Sequence, residues 1–318
     1  MKQFLMTFSI AFILFFACSH KKAKLPSNPD FNVENYTSIS DKPLTGTICF
    51  IGDAGHGTPN QYLVGKALAK DNCQHIWYVG DIIYPDGLTS AEDGLYQTKF
   101  ALPYKPVIEN ANFNQFHMAL GNHDYKGDHD AWINLAKKYS YLKAPHWYYL
   151  EKWPNLCVFV FDSNLYMYPE YEQRANQDAW TKHQLAANKG QCPVSIAILH
   201  HPYISSGGHG DAVGALKKFH EESTVGHFDL MVAGHEHLLS DEGTYFGTRL
   251  LISGAASESR LRIRHTYQKG YEGNTIGYLK VLLEGTSMTY QFIEVSSKNG
   301  EPVSKVADSH KIEAQGLR

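Results

Sequence analysis

Short apolar segments, each followed at once by a polar motif, dominate the hydrophobic pattern of this chain. Such segments predict buried β-strands, because a strand covered on both faces is apolar throughout. Five of them span residues 47–51, 75–79, 116–120, 194–199 and 228–233. A hairpin is predicted over 147–161, and late strands are predicted over 249–254, 277–284 and 287–294.

Apolar residues at helical spacing predict helices over 58–70, 177–188 and 211–222. The first of these helices lies between two strands, and a strand–helix–strand unit favours parallel pairing. Open α/β sheets bind ligands at the carboxyl ends of their strands, which is where the polar motifs fall. We therefore predict an α/β fold in which two sheets form a sandwich flanked by helices. It is expected to be one domain over residues 43–300, followed by a tail over 301–318.

The composition is that of a globular protein, with 43% hydrophobic and 19% charged residues among 318 and a formal net charge of −3. The charges are scattered, whereas a protein that binds nucleic acid needs a basic face to neutralise phosphates. Nucleic acid is therefore not expected as a stable partner. The 17 histidines are the unusual feature of the composition, and their positions carry the chemistry.

The N-terminus predicts export. The apolar run from Phe4 to Phe16 has the length of a signal-peptide core and is short for a bilayer span. Cys18 lies where this run ends, which favours a signal peptide over residues 1–17 and a lipid anchor on Cys18. An ordinary signal peptide with an incidental cysteine is the alternative. Residues 18–42 are polar and predict a tether, and the expected location is periplasmic, or on the outer membrane or cell surface as a lipoprotein.

Four cysteines remain in the exported chain, at Cys49, Cys73, Cys157 and Cys192. Export makes disulfides possible. Four cysteines allow three pairings, and the sequence does not choose among them. None has a CxxC spacing, so we assign them no metal role.

Two aspartates follow successive predicted strands. Asp53 and Asp81 each stand in a Gly-Asp pair at a strand end. A single aspartate of this kind is usually a turn residue or a helix cap. Two at successive strand ends favour metal binding, because a carboxylate can bridge two cations about 3.5–4 Å apart.

Histidines follow the last two of the five strands. His235 and His237 are two residues apart, so in an extended segment their side chains point to one side and can each reach one ion of a close pair. His200 follows strand 194–199 directly. His201 is either a neighbour of the site or a packed loop residue.

The motif after strand 116–120 offers a neutral oxygen and an imidazole. Asn122 provides the amide oxygen, and His123 beside it can hydrogen-bond a phosphate or a leaving oxygen. Asp124 is either the orienting partner of His123 or a cap of the turn. This motif adds both a metal ligand and a candidate catalytic residue.

Tyr84 lies three residues after Asp81. A lone tyrosine is usually a packing residue with a hydrogen-bonded hydroxyl. Its pKa near 10 makes it a poor ligand for weakly acidic ions, whereas a trivalent hard cation favours the phenolate oxygen. Tyr84 therefore indicates ferric iron at one position.

The motifs, in this order and with Tyr84, resemble those of the purple acid phosphatases in the calcineurin-like metallophosphoesterase superfamily. The similarity to the small, tartrate-resistant-type branch covers residues 46–300. It includes the segments QDAWTKHQLAANKG and GYLKVLLEGTSMTYQFIEVSSKNG. The resemblance implies a four-layer α/β/β/α sandwich of two mixed β-sheets flanked by helices.

The resemblance also implies a role for each of nine residues. The implied ligands of a ferric ion are Asp53, Tyr84 and His237, those of a divalent ion (Fe2+, Zn2+ or Mn2+) are Asn122, His200 and His235, and Asp81 bridges both. His123 and His209, the latter in the loop after His200, match the two histidines that lie near the phosphate in this family. Either one is expected to protonate the leaving group.

The expected function is that of an acid phosphatase. It hydrolyses phosphate monoesters by attack of a metal-bound hydroxide, and its substrate is a phosphorylated small molecule or a phosphoprotein. A monomer is expected. The alternative is a phosphodiesterase with two divalent ions that acts on nucleotides or lipid head groups, and Tyr84 argues against it. A surface metal-binding or adhesion lipoprotein without catalysis is disfavoured by the complete set of ligands.

Overall fold

A computed structural model describes residues 32–168, 173–264 and 270–318 of the chain. The predicted signal peptide, Cys18 and the first part of the tether lie outside these residues. Among the helices in the described ranges, none is both long and apolar enough to cross a membrane.

The described residues form fifteen β-strands in two mixed sheets. In chain order the strands are β1 Thr37–Ile39, β2 Thr47–Ile51, β3 Cys73–Val79, β4 Gln115–Ala119, β5 Leu142–Lys143, β6 Tyr149–Trp153, β7 Leu156–Val160, β8 Ser195–Ile198, β9 Leu230–Ala233, β10 Leu239–Tyr245, β11 Thr248–Ser253, β12 Glu272–Gly273, β13 Gly277–Glu284, β14 Ser287–Lys298 and β15 Glu301–Glu313. The seven-stranded sheet has the order β15-β14-β13-β2-β3-β4-β5. The eight-stranded sheet has the order β1-β6-β7-β8-β9-β11-β10-β12.

Six α-helices connect the strands within the described ranges. They are α1 Pro59–Lys70, α2 Gly94–Tyr96, α3 Lys105–Ile108, α4 Ala131–Lys138, α5 Gln173–Asn188 and α6 Gly214–Ser223. A π-helical turn spans Gln97–Ala101, and 3-10 turns span Asp124–Lys126 and Ser163–Tyr166. The segment before α3 buries Tyr96, Phe100 and Tyr104 in the core.

Alternation along the strands separates two apolar cores. In β2, Ile48 and Phe50 belong to the core between the two sheets, whereas Ile51 belongs to the core that also contains residues of α1. On the other sheet, Phe159 of β7 packs against Trp180 of α5 with 6.2 Å between ring centroids. Each sheet therefore has one face on its partner and one on helices. The predicted four-layer α/β/β/α sandwich is confirmed.

The parallel strands of both sheets lead to the predicted motifs. β2, β3 and β4 are parallel neighbours in the seven-stranded sheet, and β7, β8 and β9 are parallel neighbours in the eight-stranded sheet. The five motifs follow β2, β3, β4, β8 and β9. Each sheet therefore carries part of the predicted ligand set at the carboxyl ends of its strands.

The two ends of the predicted domain need correction. Residues 301–313, expected to be a tail, form β15 and pair with β14 along their whole length. Leu317 is buried, and the backbone N–H of Arg318 donates to the carbonyl oxygen of His227. At the other end, β1 lies within the expected tether and pairs in parallel with β6. Backbone pairing incorporates these mostly polar segments into the sheets, and apolar side chains such as Val303, Val306 and Ile39 remain exposed.

Two disulfides resolve the open question of cysteine pairing. Cys49 pairs with Cys73, and Cys157 pairs with Cys192. The first links β2 to the start of β3 and encloses α1. The second links β7 to the segment before β8 and encloses α5. Each sheet therefore has one strand–helix–strand unit closed by a covalent bond.

Candidate metal centre

Sharp turns end the strands that carry the predicted ligands. Asp53, Asp81 and His235 have φ values of 54°, 52° and 70°. This left-handed conformation costs a residue with a side chain about 1–2 kcal/mol. Three such residues beside one another indicate a site where backbone strain is retained to direct side chains.

A glycine allows the loop after β4 to approach the turn at Asp81 closely. A Cβ atom on Gly121 would lie 2.2 Å from both the backbone nitrogen and the Oδ1 atom of Asp81. No side chain fits in that space. The loop that carries Asn122 can therefore lie directly against the loop that carries Asp81.

One group of donor atoms surrounds the hydroxyl of Tyr84. That oxygen lies 2.8 Å from Asp81 Oδ2, 3.1 Å from Asp53 Oδ1 and 3.1 Å from His237 Nε2. All four side chains are buried. The ligands that the resemblance assigned to the ferric ion, together with Asp81, thus form one compact group.

A second group of donor atoms surrounds the amide oxygen of Asn122. Asn122 Oδ1 lies 3.0 Å from His235 Nδ1 and 3.1 Å from His200 Nε2, and the two ring nitrogens are 3.3 Å apart. Asp81 Oδ1 lies 3.4 Å from His200 Nε2. Asp81 therefore turns one oxygen to each group, as a bridging carboxylate would.

The arrangement of the ligand atoms in the second group favours a bound cation over hydrogen bonds among the ligands. His200 Nδ1 donates to the carbonyl oxygen of Val79 at 2.9 Å, so in the neutral ring Nε2 directs a lone pair at Asn122 Oδ1 and Asp81 Oδ1. Three acceptors then face one another, an arrangement that a cation relieves. Asn122 Oδ1, His200 Nε2 and Asp81 Oδ1 are thus placed to share a cation.

The pKa shifts of the side chains in the first group also favour a bound cation. Burial raises the pKa of Asp53 well above its usual range. Burial opposes ionisation of Asp81 as well, but the positive charge of His200 in its protonated form lowers the pKa of Asp81. Burial and the two carboxylates raise the pKa of Tyr84. Positive charge at this position would stabilise all three anionic oxygens at once.

The two predicted catalytic histidines lie at the open side of the centre. The backbone N–H of His123 donates to Asp81 Oδ1 at 2.8 Å, and its Nε2 atom lies 3.9 Å from Asp81 Oδ2. The His209 ring lies 4.2 Å from the His235 ring between centroids. The side chains of His123 and His209 are 25% and 46% exposed, so both are accessible to a substrate. The structure brings all nine predicted site residues together.

Glu236 is a residue that the sequence reasoning missed. It is buried, and its Oε1 atom accepts from the backbone N–H of His209 at 2.8 Å and from Ser205 Oγ at 2.9 Å. Its Oε2 atom lies 3.1 Å from His209 Nδ1. Glu236 therefore holds the His209 ring and its loop. Its position between His235 and His237 was the sequence signal that could have identified it as part of the site.

Asp124 and His201 have structural partners. The Asp124 carboxylate accepts from the backbone N–H groups of Ile82, Ile83 and Gly121, so it caps two turns and does not orient His123. His201 is buried with Nδ1 2.8 Å from Ser163 Oγ. Its ring lies 4.5 Å from that of His235, which makes it a neighbour of the site.

The fold and the ligand groups define a metal-dependent phosphoesterase. A profile described as calcineurin-like phosphoesterase matches residues 46–239. The chain belongs to this family. Purple acid phosphatase 7 of Arabidopsis thaliana is 26% identical over 248 residues, covering 69% of this chain and 73% of that protein. Tartrate-resistant acid phosphatase type 5 of Sus scrofa is 26% identical over 289 residues, covering 78% and 83%. The resemblance to purple acid phosphatases is thereby confirmed.

Solved structures support the same fold. GAP50, the anchor in the inner membrane complex of Plasmodium, superposes with a TM-score of 0.70 at 19% identity, covering 85% of this chain and 89% of that one. Purple acid phosphatase PPD1 from yellow lupin (Lupinus luteus) seeds superposes with a TM-score of 0.59 at 16% identity, covering 86% and 54%. At these identities the likeness concerns the fold alone.

Proposed function

We propose that this phosphoesterase hydrolyses phosphate monoesters with a dinuclear metal centre. The observation that carries the proposal is Asp81, whose two oxygens face the two donor groups. Asp53, Tyr84 and His237 would hold Fe3+, and a divalent ion (Fe2+, Zn2+ or Mn2+) would be held by Asn122, His200 and His235. When bound, the two ions would supply charge for the phosphate oxygens and acidify a water that serves as nucleophile.

The protein's own residues hold and protonate the substrate. His123 lies beside Asp81 and donates Nδ1–H to the carbonyl oxygen of Pro85, so the protonated ring can donate Nε2–H to a phosphate oxygen. In the neutral form His209 donates Nδ1–H to Glu236, so Nε2 is the atom that takes up a second proton, and the protonated ring can pass that proton to the leaving oxygen. Glu236 fixes this tautomer and prevents the ring from turning away.

A metal analysis combined with a substrate panel tests the proposal. We expect two metal ions per chain, a visible absorption band from tyrosinate–iron, and faster hydrolysis of 4-nitrophenyl phosphate than of bis(4-nitrophenyl) phosphate. Asn122→Ala is expected to abolish this activity. A colourless protein with two zinc or manganese ions and a preference for the diester would instead establish the phosphodiesterase alternative.

We propose that the protein is exported and anchored through a lipid on Cys18, and that it acts as a monomer. The two disulfides, which form in oxidising compartments, support export. The scattered charges give no support to a nucleic-acid partner, so the proposed substrates are phosphorylated small molecules or phosphoproteins.

Cell fractionation of wild type and Cys18→Ala tests the anchor. Recovery of both in the same membrane fraction would contradict it, and light scattering measures the oligomeric state.

A further inference from the structure

A partly exposed carboxylate lies beside the Tyr84–His237 side of the centre. Glu258 Oε2 is 3.7 Å from His237 Nδ1 and 3.5 Å from His56 Nε2. Glu258 Oε1 is 3.5 Å from Arg260 Nε, and the backbone N–H of Arg260 donates to the carbonyl oxygen of His237 at 2.8 Å. The segment that carries Glu258 is therefore attached to the loop that carries His237.

The ligand histidines His200 and His237 differ in how their rings are held. His200 Nδ1 donates to the Val79 carbonyl at 2.9 Å, which fixes the ring. His237 turns Nε2 toward the Tyr84 hydroxyl, and its buried Nδ1 has no hydrogen bond within the described residues. Ligating histidines usually donate the second N–H to a carboxylate or a carbonyl. For His237, Glu258 is the carboxylate placed to accept this second N–H.

The second ligand on this side, Tyr84, is covered by an imidazole. The His56 ring stacks on the Tyr84 ring with 3.9 Å between centroids and 16° between planes. His56 Nδ1 lies 2.8 Å from Ser257 Oγ, which donates to the Asp53 carbonyl at 3.0 Å. His56 is thus fixed by the residue next to Glu258, and it limits the tilt of Tyr84.

We propose that Glu258 and His56 form a positioning pair for the metal position made by Asp53, Tyr84 and His237. The proposal rests on the dinuclear centre proposed above. Glu258, whose Oε2 atom is 3.7 Å from His237 Nδ1, accepts the Nδ1–H of His237 after a small closing movement, and His56 holds the plane of Tyr84. Both ligands are thereby oriented before the ion binds, which lowers the ordering cost of binding. The position made by Asn122, His200 and His235 does not depend on this pair.

Metal retention distinguishes the two positions. Wild type, Glu258→Ala, His56→Ala and His56→Phe are loaded with metal and dialysed against increasing chelator, and the metal per chain is measured. For Glu258→Ala we expect one of the two ions to be lost at about 10- to 100-fold lower chelator concentration, with the other retained as in wild type. His56→Phe keeps the stacked ring and is expected to retain metal better than His56→Ala.

Glu301→Ala is the matched control. Glu301 is a similarly exposed glutamate that pairs with Lys66 and Lys70 of α1, and we expect wild-type metal retention after its removal. Glu258→Gln, which keeps an acceptor oxygen and the side-chain shape, provides a variant if Glu258→Ala fails to fold. Gln is expected to retain the ion better than Ala.

Three results would overturn the positioning role. They are unchanged retention of both ions in Glu258→Ala, equal weakening of both ions in that variant, and equal loss in Glu258→Gln and Glu258→Ala. The failure of the dinuclear centre itself is recognised separately, because wild type would then bind fewer than two ions whatever the variants do.

Discussion

At the scale of single residues, His209 offers the sharpest test of the chemistry. Its ring is held by Glu236 and is partly exposed at the open side of the centre. A general acid contributes about 10²–10⁴-fold, and most where the leaving group is a poor one. We expect His209→Asn to lower kcat by about 100-fold or more for an alkyl phosphate and by less than about 10-fold for 4-nitrophenyl phosphate.

The leaving-group dependence separates this role from simple metal binding. Asn122→Ala serves as the control, since loss of a ligand should abolish hydrolysis of both esters alike. Metal analysis of His209→Asn should still give two ions per chain. Equal loss of activity on both esters, with the metals retained, would assign His209 to phosphate binding instead of proton transfer.

At the scale of elements, a half-buried imidazole beside β6 predicts sensitivity of the fold to acid. His146 stacks on Tyr36 with 3.7 Å between centroids, and its Nδ1 atom has no hydrogen bond within the described ranges. Burial lowers the pKa of His146 to about 4. The folded state therefore excludes a proton that the unfolded state binds. This cost is absent above about pH 6.5 and grows as pH falls toward 4.

His146→Phe removes this titration and keeps the stacked ring. Between pH 6.5 and 4, we expect the free energy of unfolding of wild type to fall more steeply than that of the variant, by at most about 1.4 kcal/mol per pH unit. Urea unfolding at several pH values measures both slopes. Parallel curves for the two proteins would show that His146 does not carry the effect.

The disulfide around α5 predicts a second effect at this scale. Cys157 and Cys192 are 35 residues apart, and closing a loop of that length in the unfolded chain stabilises the native state by about 3–4 kcal/mol. We expect Cys157→Ser/Cys192→Ser to lower the free energy of unfolding by this amount and to leave kcat nearly unchanged, because the bridge is remote from the ligands. A large loss of kcat in folded, metal-loaded protein would contradict this separation.

Whether a strand could be predicted from the sequence depends on how many apolar side chains it buries. β2 and β13 were predicted with their observed bounds, because one is apolar throughout and the other lies in a clear hairpin. β15 reads as a polar tail because it is an edge strand with much of its surface in water, and β1 is only three residues long. Backbone hydrogen bonds define such strands, and these leave little trace in side-chain hydrophobicity.

At the scale of the whole molecule, the ligands could be found from sequence but their supports could not. The ligands follow apolar strands in fixed motifs, so the sequence pattern is enough to locate them. Glu258 and His56 are far apart in sequence and meet only because the segment after β11 crosses to the loop after β2. Glu236 was overlooked for a different reason, since a residue between two ligands reads as a spacer until its side chain is seen to turn toward His209.

The centre also joins the two sheets, which gives the last prediction. Loops of the seven-stranded sheet supply Asp53, Asp81, Tyr84 and Asn122, and loops of the eight-stranded sheet supply His200, His235 and His237. Bound ions would therefore link the layers at one edge, and a ligand at 100 times its Kd stabilises the folded state by about 2.7 kcal/mol. We expect chelation to lower Tm by about 5–10 °C and to speed amide exchange at the carboxyl ends of β2 and β9.

Asp81→Asn is the variant that tests this linkage, because Asp81 is the carboxylate that faces both donor groups. Its Tm should lie near that of chelated wild type and should respond little to added metal. Protection of the core strand β7, far from the ligand loops in sequence and free of ligands itself, should change least on chelation. If wild type keeps two ions per chain and yet melts at the same temperature after their removal, the ions do not link the sheets, and inter-sheet packing alone holds the loops in place.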